Sequence, residues 1–474
     1  MERHQPEDSS QHVPSKAATQ GMSHASPTAT VTDGRATNNG HESANTAPTG
    51  TFSAFRYLNF RYLWVGTFFT SAAAWLQMTT IGWVVYDLTG SGSTVGAING
   101  IRVLPTLLLM PVVGLAADRI SRQRIVSVSQ FALFCLTFLL GLGLLFHVVQ
   151  VWHMFLFVIL AAMANTFNMP ARGAMVYDVV PRPVVPNAVG LNSLAGGVSR
   201  AIGPMAAGIL IVISGAATNF LIQGFLYLCI MITVLMLRLP PQTQNTVARG
   251  SWVTDMVEGY AYVVKSPPAR MLVIISVISP VFLIPIHQAL MPIFAKEVFH
   301  SNASALGIIF SANGVGAIFG GLITASLNRV DRRGLLQIVV LIIFAASETI
   351  FVVLAVVTRN ILLSSSLLVV SGVAEGVYMA TNQTVIQLVA PDHLRGRITS
   401  VLQLGMILSP LCIFLSGLGS DIFGPVQMGL FQGLAAFGCG AAILAFSPTM
   451  RNLRLSRLGD RAGQDEPLAT PRRG

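Results

Sequence analysis

Four ionisable side chains stand deep inside long apolar runs of this 474-residue chain: Arg102, Arg200, Glu348 and Glu375. A charge at the centre of an apolar layer costs about 2.5–3.5 kcal/mol on insertion scales, so each must face a polar interior or find a partner. A carboxyl in such a place can take up a proton on one side and release it on the other. An arginine there can hold an acid group or a backbone carbonyl. Both arginines fall in the first half of the chain and both acids in the second. His287 adds a group that titrates near neutral pH, although a lone histidine among helices is more often simply hydrogen-bonded. Other polar residues lie inside apolar runs too: Gln77, Asn165, Asn168, Asn382 and Gln383.

The elements that carry these residues follow from composition. The chain is 53% hydrophobic and only 10% charged, with a mean hydropathy of +0.66. That charge deficit points to a membrane protein. A net charge of +10 would suit a nucleic-acid binder only if it formed one basic face, and here the basic residues sit in short breaks between apolar runs. A helix needs roughly 20 apolar residues to cross a bilayer. Twelve runs meet that length: about 60–86, 94–117, 125–147, 152–170, 188–213, 219–238, 271–295, 305–327, 335–357, 361–389, 398–419 and 425–446. The connections after the even runs hold fourteen Lys or Arg, Arg172 and Arg182 among them, and those after the odd runs hold only Lys296 and Arg359. This asymmetry places the even connections and both tails in the cytoplasm.

The chain therefore divides into a polar tail (1–50), a six-helix half (51–238), a linker (239–270), a second six-helix half (271–450) and a basic tail (451–474). The first tail has no apolar stretch behind a basic start, so it is not a signal peptide, and its composition is that of a disordered segment. In the linker Trp252, Met256, Tyr260 and Val264 recur every four residues. That spacing fits an amphipathic helix on the membrane surface or a helix packed on the bundle ends. Cys135, Cys229, Cys412 and Cys439 lie in apolar runs without pairing motifs, and the tail histidines lack metal-ligand spacing.

The halves echo each other at an offset near 210. Asp118-Arg119 answers Asn328-Arg329, Arg122 answers Arg332, Pro181 answers Pro391, Asp87 answers Glu297, and Gln77 answers His287. Two parallel six-helix repeats form a transporter architecture with the substrate path between them at the midplane. At the end of the second run stand Gly114, Asp118, Arg119, Ser121, Arg122 and Gln123, which resemble the Gly-x-x-x-Asp-Arg-x-Gly-Arg-Arg/Lys signature of the major facilitator superfamily, with Ser in place of its second glycine. The fifth run carries Gly190, Ser199, Gly203-Pro204 and Ala207-Gly208, similar to the small-residue motif of that superfamily's drug antiporters. Asn59-Phe60-Arg61-Tyr62-Leu63-Trp64, Met169-Pro170-Ala171-Arg172 and Pro391-Asp392-His393-Leu394-Arg395-Gly396-Arg397 resemble the enterobactin-exporter-like, or transmembrane secretion effector, branch.

The resemblance implies an all-α membrane protein of twelve transmembrane helices in two pseudo-repeats. Its first, fourth, seventh and tenth helices would line the path, which makes Glu375 the first candidate for proton coupling. The alternative is a neutral carboxyl bonded to nearby backbone. Glu348, in the peripheral ninth helix, is the second candidate, with a structural role favoured. Gln77, Arg102, Asn165, Asn168, Arg200, His287, Asn382 and Gln383 are the candidate cavity residues. Arg102 could equally snorkel or pair with Asp87. Trp75, Trp83 and Tyr378 could stack on an aromatic substrate, or Trp83 could anchor at the interface. Gly114, Asp118, Arg119 and Arg122, with Arg395 or Arg397 as partner, would form a cytoplasmic latch closed when the protein faces outward. Gly190, Gly203, Pro204 and Gly208 would pack helices closely.

No Walker loop, catalytic triad or metal-ligand grouping stands out, so no enzyme activity, cofactor or metal is expected. The expectation is a monomeric exporter in a bacterial inner membrane, exchanging protons for a small amphipathic molecule such as a drug or siderophore. A proton-coupled uptake permease and a non-transporting membrane scaffold or receptor are the rival readings.

Overall fold

The computed structural model describes residues 52–237, 261, 263–327, 330–389 and 404–454; the side chains at 110, 111, 114, 115, 117, 118, 325, 386–389 and 404–407 also lie outside that description. Every regular element among the described residues is helical, the form that pairs all backbone groups within one segment where water is absent.

Helix α1 (Leu58–Thr89) ends at Gly90, whose φ of 61° is the left-handed conformation that closes a helix. Helices α2 (Gly92–Ile101) and α3 (Val103–Arg119) are parted only by Arg102. Pro105 has no amide hydrogen to give the Ile101 carbonyl four residues back, which accounts for the break. Helix α4 (Arg122–Leu145) is followed by α5 (Val151–Val179). Helix α6 (Val185–Leu235) has 51 residues, about 76 Å if it were straight, well over twice a bilayer core of roughly 30 Å. It is not straight: Gly215, at φ 83° and ψ 164°, turns the chain inside it.

Helix α7 (Pro267–Val298) is irregular. Its stretches Ser279–Leu283, Ile286–Leu290 and Phe294–Val298 use wider turns that bond residues five apart. Pro280, Pro285 and Pro292 remove donors along it, and wider turns of this kind are frequent at functional sites. Helices α8 (Ala303–Ser326), α9 (Arg333–Thr358), α10 (Ile361–Val389), α11 (Leu404–Phe423) and α12 (Pro425–Phe446) complete the set.

Eight stretches among the described residues are long and apolar enough to cross a membrane. They are α4, α5, residues 182–235, α7, and most or all of α8, α9, α10 and α12. The expected second run is broken at Arg102, the fifth and sixth are one continuous helical stretch turning at Gly215, and the described apolar part of α11 is short. The fourth helix continues to Val179, beyond the expected end at 170, so Arg172 lies within α5 and is buried rather than in a connection. Pro170 sits inside that helix.

Helix α6 packs on α1, α4 and α8; α10 packs on α8 and α9; α11 packs on α2, and α12 on α9. The outward faces are apolar, with Val128, Leu139, Ile213, Val357 and Leu362 all exposed, as helices surrounded by lipid require. Phe52, Ile120, Val180 and Leu453 mark one end of the helices, here called proximal. Gly90, Ser301, Arg359 and Gly424 mark the other, distal end.

A charged centre between two groups of helices

The interior pairs charges between helices α1–α6, here the first group, and helices α7–α12, the second group. An Arg200 Nη2–H on α6 donates to Glu375 Oε2 on α10 at 2.6 Å and to Asn313 Oδ1 on α8 at 2.7 Å. The guanidinium also lies over the Trp75 ring of α1, 5.4 Å from its centroid. So Trp75 is occupied by a cation, and Arg200 takes an acid group supplied by the chain. Glu375 is not bonded to backbone as a neutral acid would be; it is half of an ion pair.

Beside this pair lies a second group. His287 Nε2 is 2.9 Å from Glu348 Oε1, and the Ser371 hydroxyl donates to the same oxygen. Glu348 is 0% exposed, and its Oε2 has no hydrogen-bond partner among the described residues. Ser371 and Glu375 are four apart on α10 and share a face, so the two groups adjoin, and His287 and Glu375 lie within electrostatic reach. The wide turn at Ile286–Leu290 is what carries His287.

The other candidates scatter. Gln77 is buried and accepts a hydrogen bond from the Tyr227 hydroxyl at 3.2 Å, inside the first group of helices. Asn165 turns back to the Ala161 carbonyl. Asn382 accepts from Ser276 and Gln337, while Gln383 is exposed. The Tyr378 hydroxyl donates to the Ile275 carbonyl. Arg102 does not pair with Asp87, because Lys296 Nζ donates to Asp87 Oδ1 at 2.6 Å and also lies 5.9 Å from the Trp83 ring centroid.

The distal end is closed. The Asp421 carboxylate of α11 accepts from the Gly92 amide at 2.6 Å, the Ser93 amide at 2.9 Å and the Ser91 hydroxyl at 3.0 Å, at the start of α2. Amides at a helix N-terminus carry a partial positive charge that suits an anion. The Tyr86 hydroxyl donates to Glu297 nearby. Below these contacts α2 and α11 touch backbone to backbone: a Cβ on Gly417 would lie 2.1 Å from the Gly92 carbonyl oxygen. A second seam joins α6 to α8, where a Cβ on Gly208 would lie 2.6 Å from the Ala303 oxygen and Pro204 faces Gly307. Gly203 packs on Trp75 within the first group. Gly190 belongs to neither seam: it is exposed, with nothing within 4 Å of a Cβ. Among the described residues, hydrogen bonds and ion pairs between the two groups all lie from mid-helix to the distal end.

Of the latch residues, the side chains of Gly114 and Asp118, and Arg395 and Arg397 altogether, lie outside the described residues. Arg119 is exposed, and Arg122 pairs with Asp178 of α5 at 2.7 Å. Most of the 239–270 linker lies outside them too. Sequence reasoning missed Asn313, Ser371 and Asp421. Asn313 could have been found as a lone amide in an apolar run, the signal that picked out Asn165 and Asn168. Asp421 gave a weaker signal, a single acid at the end of a run, and nothing in the sequence pointed it at Ser91-Gly92-Ser93.

Lipid-length helices with an ion pair sealed between two groups of them, and no metal-binding cluster among the described residues, are the build of a multi-pass membrane transporter. Solved structures share the architecture: the nucleoside transporter NupG (TM-score 0.63, 16% identity, covering 82% of this chain and 98% of that one) and a bacterial homologue of the iron transporter ferroportin in its inward-facing state (TM-score 0.62, 15% identity, 81% and 98%). The chain belongs to the transmembrane secretion effector family of major facilitator transporters, whose model matches residues 49–462. It is 21% identical over 404 residues to the staphyloferrin A transporter of Staphylococcus aureus (strain NCTC 8325 / PS 47), spanning 83% of this chain and 98% of the relative. It is 23% identical over 390 residues to the multidrug efflux pump Tap of Mycolicibacterium fortuitum, spanning 80% and 93%. The family and these relatives are transporters, not enzymes.

Proposed function

We propose that this transporter is a proton-coupled exporter of a small amphipathic molecule, working by alternating access in a bacterial inner membrane. In this reading twelve spans form two six-helix halves. Helices α2 and α3 make one span hinged at Arg102, α6 makes two joined at Gly215, and α1 and α11 are spans as well. The basic proximal connections put that end, and both tails, in the cytoplasm. The distal seals then close the exterior, and the molecule faces inward.

The observation that carries the reading is the Arg200–Glu375 pair. It links the two halves at mid-depth, where a change in one proton changes a contact between them. A Glu375 carboxylate holds Arg200; a protonated Glu375 gives up the charge that holds it. The cycle follows from this. With the exterior side open, Glu375 takes a proton; with the cytoplasmic side open, the proton leaves and Arg200 re-forms the pair. The His287–Glu348–Ser371 group, one helical turn away on α10, offers a second proton station. Substrate binding that favours one open state biases the same equilibrium as the proton on Glu375 and so couples the two fluxes. The efflux relative Tap supports export over uptake.

The test is direct. Inside-out vesicles holding the protein are acidified inside by respiration, and a panel of acidic, neutral and basic amphipathic compounds is added. A proton-coupled exporter lets at least one compound dissipate the ΔpH beyond control vesicles, and Glu375→Gln abolishes this while binding persists. If no compound does so, or if Glu375→Gln couples normally, proton-coupled export is wrong.

A further inference from the structure

Arg200 has Glu375, but two other arginines inside the helices have no acid partner among the described residues. Arg172 of α5 is only 6% exposed, and its Nε, Nη1 and Nη2 all lack a hydrogen-bond partner among the described residues. One turn earlier on the same face stands Asn168, 1% exposed, whose Nδ2 is likewise unpartnered. Opposite them α1 has a glycine: a Cβ on Gly66 would lie 3.7 Å from Arg172 Nη1. Arg102, at the break between α2 and α3, is partly exposed. Helix α3, which follows Arg102, packs on α5, where the Thr106 and Thr166 hydroxyls stand 3.0 Å apart; the Tyr227 phenol lies within electrostatic reach of both guanidiniums, and no carboxylate among the described residues does.

The cluster is thus made of donors and positive charge without an acceptor to match. An unpaired buried guanidinium is strongly unfavourable, and chains that keep one have a partner for it. Arginine's planar fork donates two parallel hydrogen bonds to a carboxylate. Arg102 is partly exposed and Arg172 lies deeper, so a ligand's acid group would meet Arg102 first and seat on Arg172 and Asn168.

We propose that Arg172, Asn168 and Arg102 form a carboxylate-binding subsite, and that the transported molecule is an amphipathic acid. This deepens the exporter reading and rests on it for the word transported; the binding itself does not require transport. The acid group would sit in the first half of the molecule while Arg200 and Glu375 handle the proton at the boundary, so the two charges are bound apart.

The experiment reads binding alone. The purified full chain in nanodiscs is melted with 1-naphthoate or with its uncharged twin, 1-naphthamide. The expected result is a rise in melting temperature of about 3 °C or more at saturating naphthoate and a clearly smaller one with naphthamide. Arg172→Gln and Arg102→Gln should each erase the difference, Arg172→Lys should restore part of it, and Arg451→Gln on the surface should keep it. Without probe, Arg172→Gln should melt at or above the wild-type temperature, because it removes an unpartnered buried charge, so the lost shift is not a folding defect. Should that variant not fold, Arg102→Gln carries the test. Naphthoate stabilising no better than naphthamide, or a naphthoate preference that survives in both variants, overturns the proposal. The vesicle assay separately decides export, so failure of one leaves the other readable.

Discussion

Removing the Asp421 side chain should open the distal end. In the closed form its carboxylate takes three hydrogen bonds, at 2.6, 2.9 and 3.0 Å, from the start of α2. Buried charge-assisted bonds would each be worth about 1.5–3 kcal/mol, but Asp421 is exposed and water replaces part of each. Losing a helix N-cap costs about 0.5–2 kcal/mol, and a negative charge at a helix N-terminus contributes about 0.3–1. A combined loss of roughly 1.5–2 kcal/mol is reasonable for Asp421→Ala, or about 10–30-fold in the closed-to-open ratio. A protein resting near 99:1 would then fall to between about 10:1 and 3:1. The Lys296–Asp87 pair is a single contact between side chains 39% and 58% exposed, and such pairs contribute at most about 1 kcal/mol. Asp87→Asn should therefore shift the ratio much less. Spin labels at Val148 and Val357, both exposed near the distal end, report the populations by pulsed dipolar spectroscopy once the four cysteines are replaced. A distal-open population that grows no more than about twofold in Asp421→Ala, or grows as much in Asp87→Asn, would refute the reasoning.

What the sequence made legible was set by lipid. Arg200 and Glu375 announced themselves because an ion within an apolar run is costly, and that cost holds whatever the tertiary arrangement. Their mutual pairing was not legible: they are 175 residues apart, and nothing local in either run specifies its neighbour. Arg172 was misplaced for the opposite reason. It follows Met169-Pro170, which reads as the end of a helix, yet α5 runs through Pro170 to Val179. The proline forfeits one donor, and the packing of α5 against α3 and α4 keeps the helix going. Of the small residues in the fifth run, Gly203 and Gly208 lie against neighbouring helices, while Gly190 has nothing within 4 Å of a Cβ. Spacing gives the face of a helix; which part of that face meets another helix depends on the crossing point.

Further outcomes follow from the same contacts. Gly417→Leu should prevent distal closure, since even a Cβ there would stand 2.1 Å from the Gly92 oxygen; transport should cease, with labels at Val148 and Val357 fixed at the longer separation. Arg122→Gln removes a pair whose side chains are 33% and 21% exposed; it should lower stability by about 1 kcal/mol or less and leave flux per molecule within about twofold in the vesicle assay. Glu348 permits a sharper division. Glu348→Ala takes the acceptor from both His287 and Ser371 at a position that is 0% exposed, and breaking a buried pair from one side costs about 3–5 kcal/mol. Glu348→Gln keeps an oxygen to accept from Ser371 and loses only the charge. If Glu348 is a brace, the glutamine variant should transport and melt close to wild type while the alanine variant melts well below it. If it is the second proton station, the glutamine variant should fold normally and yet lose ΔpH coupling. The two substitutions share a position and differ in shape and charge, so melting temperature and coupling measured on the same preparations separate a support from a carrier.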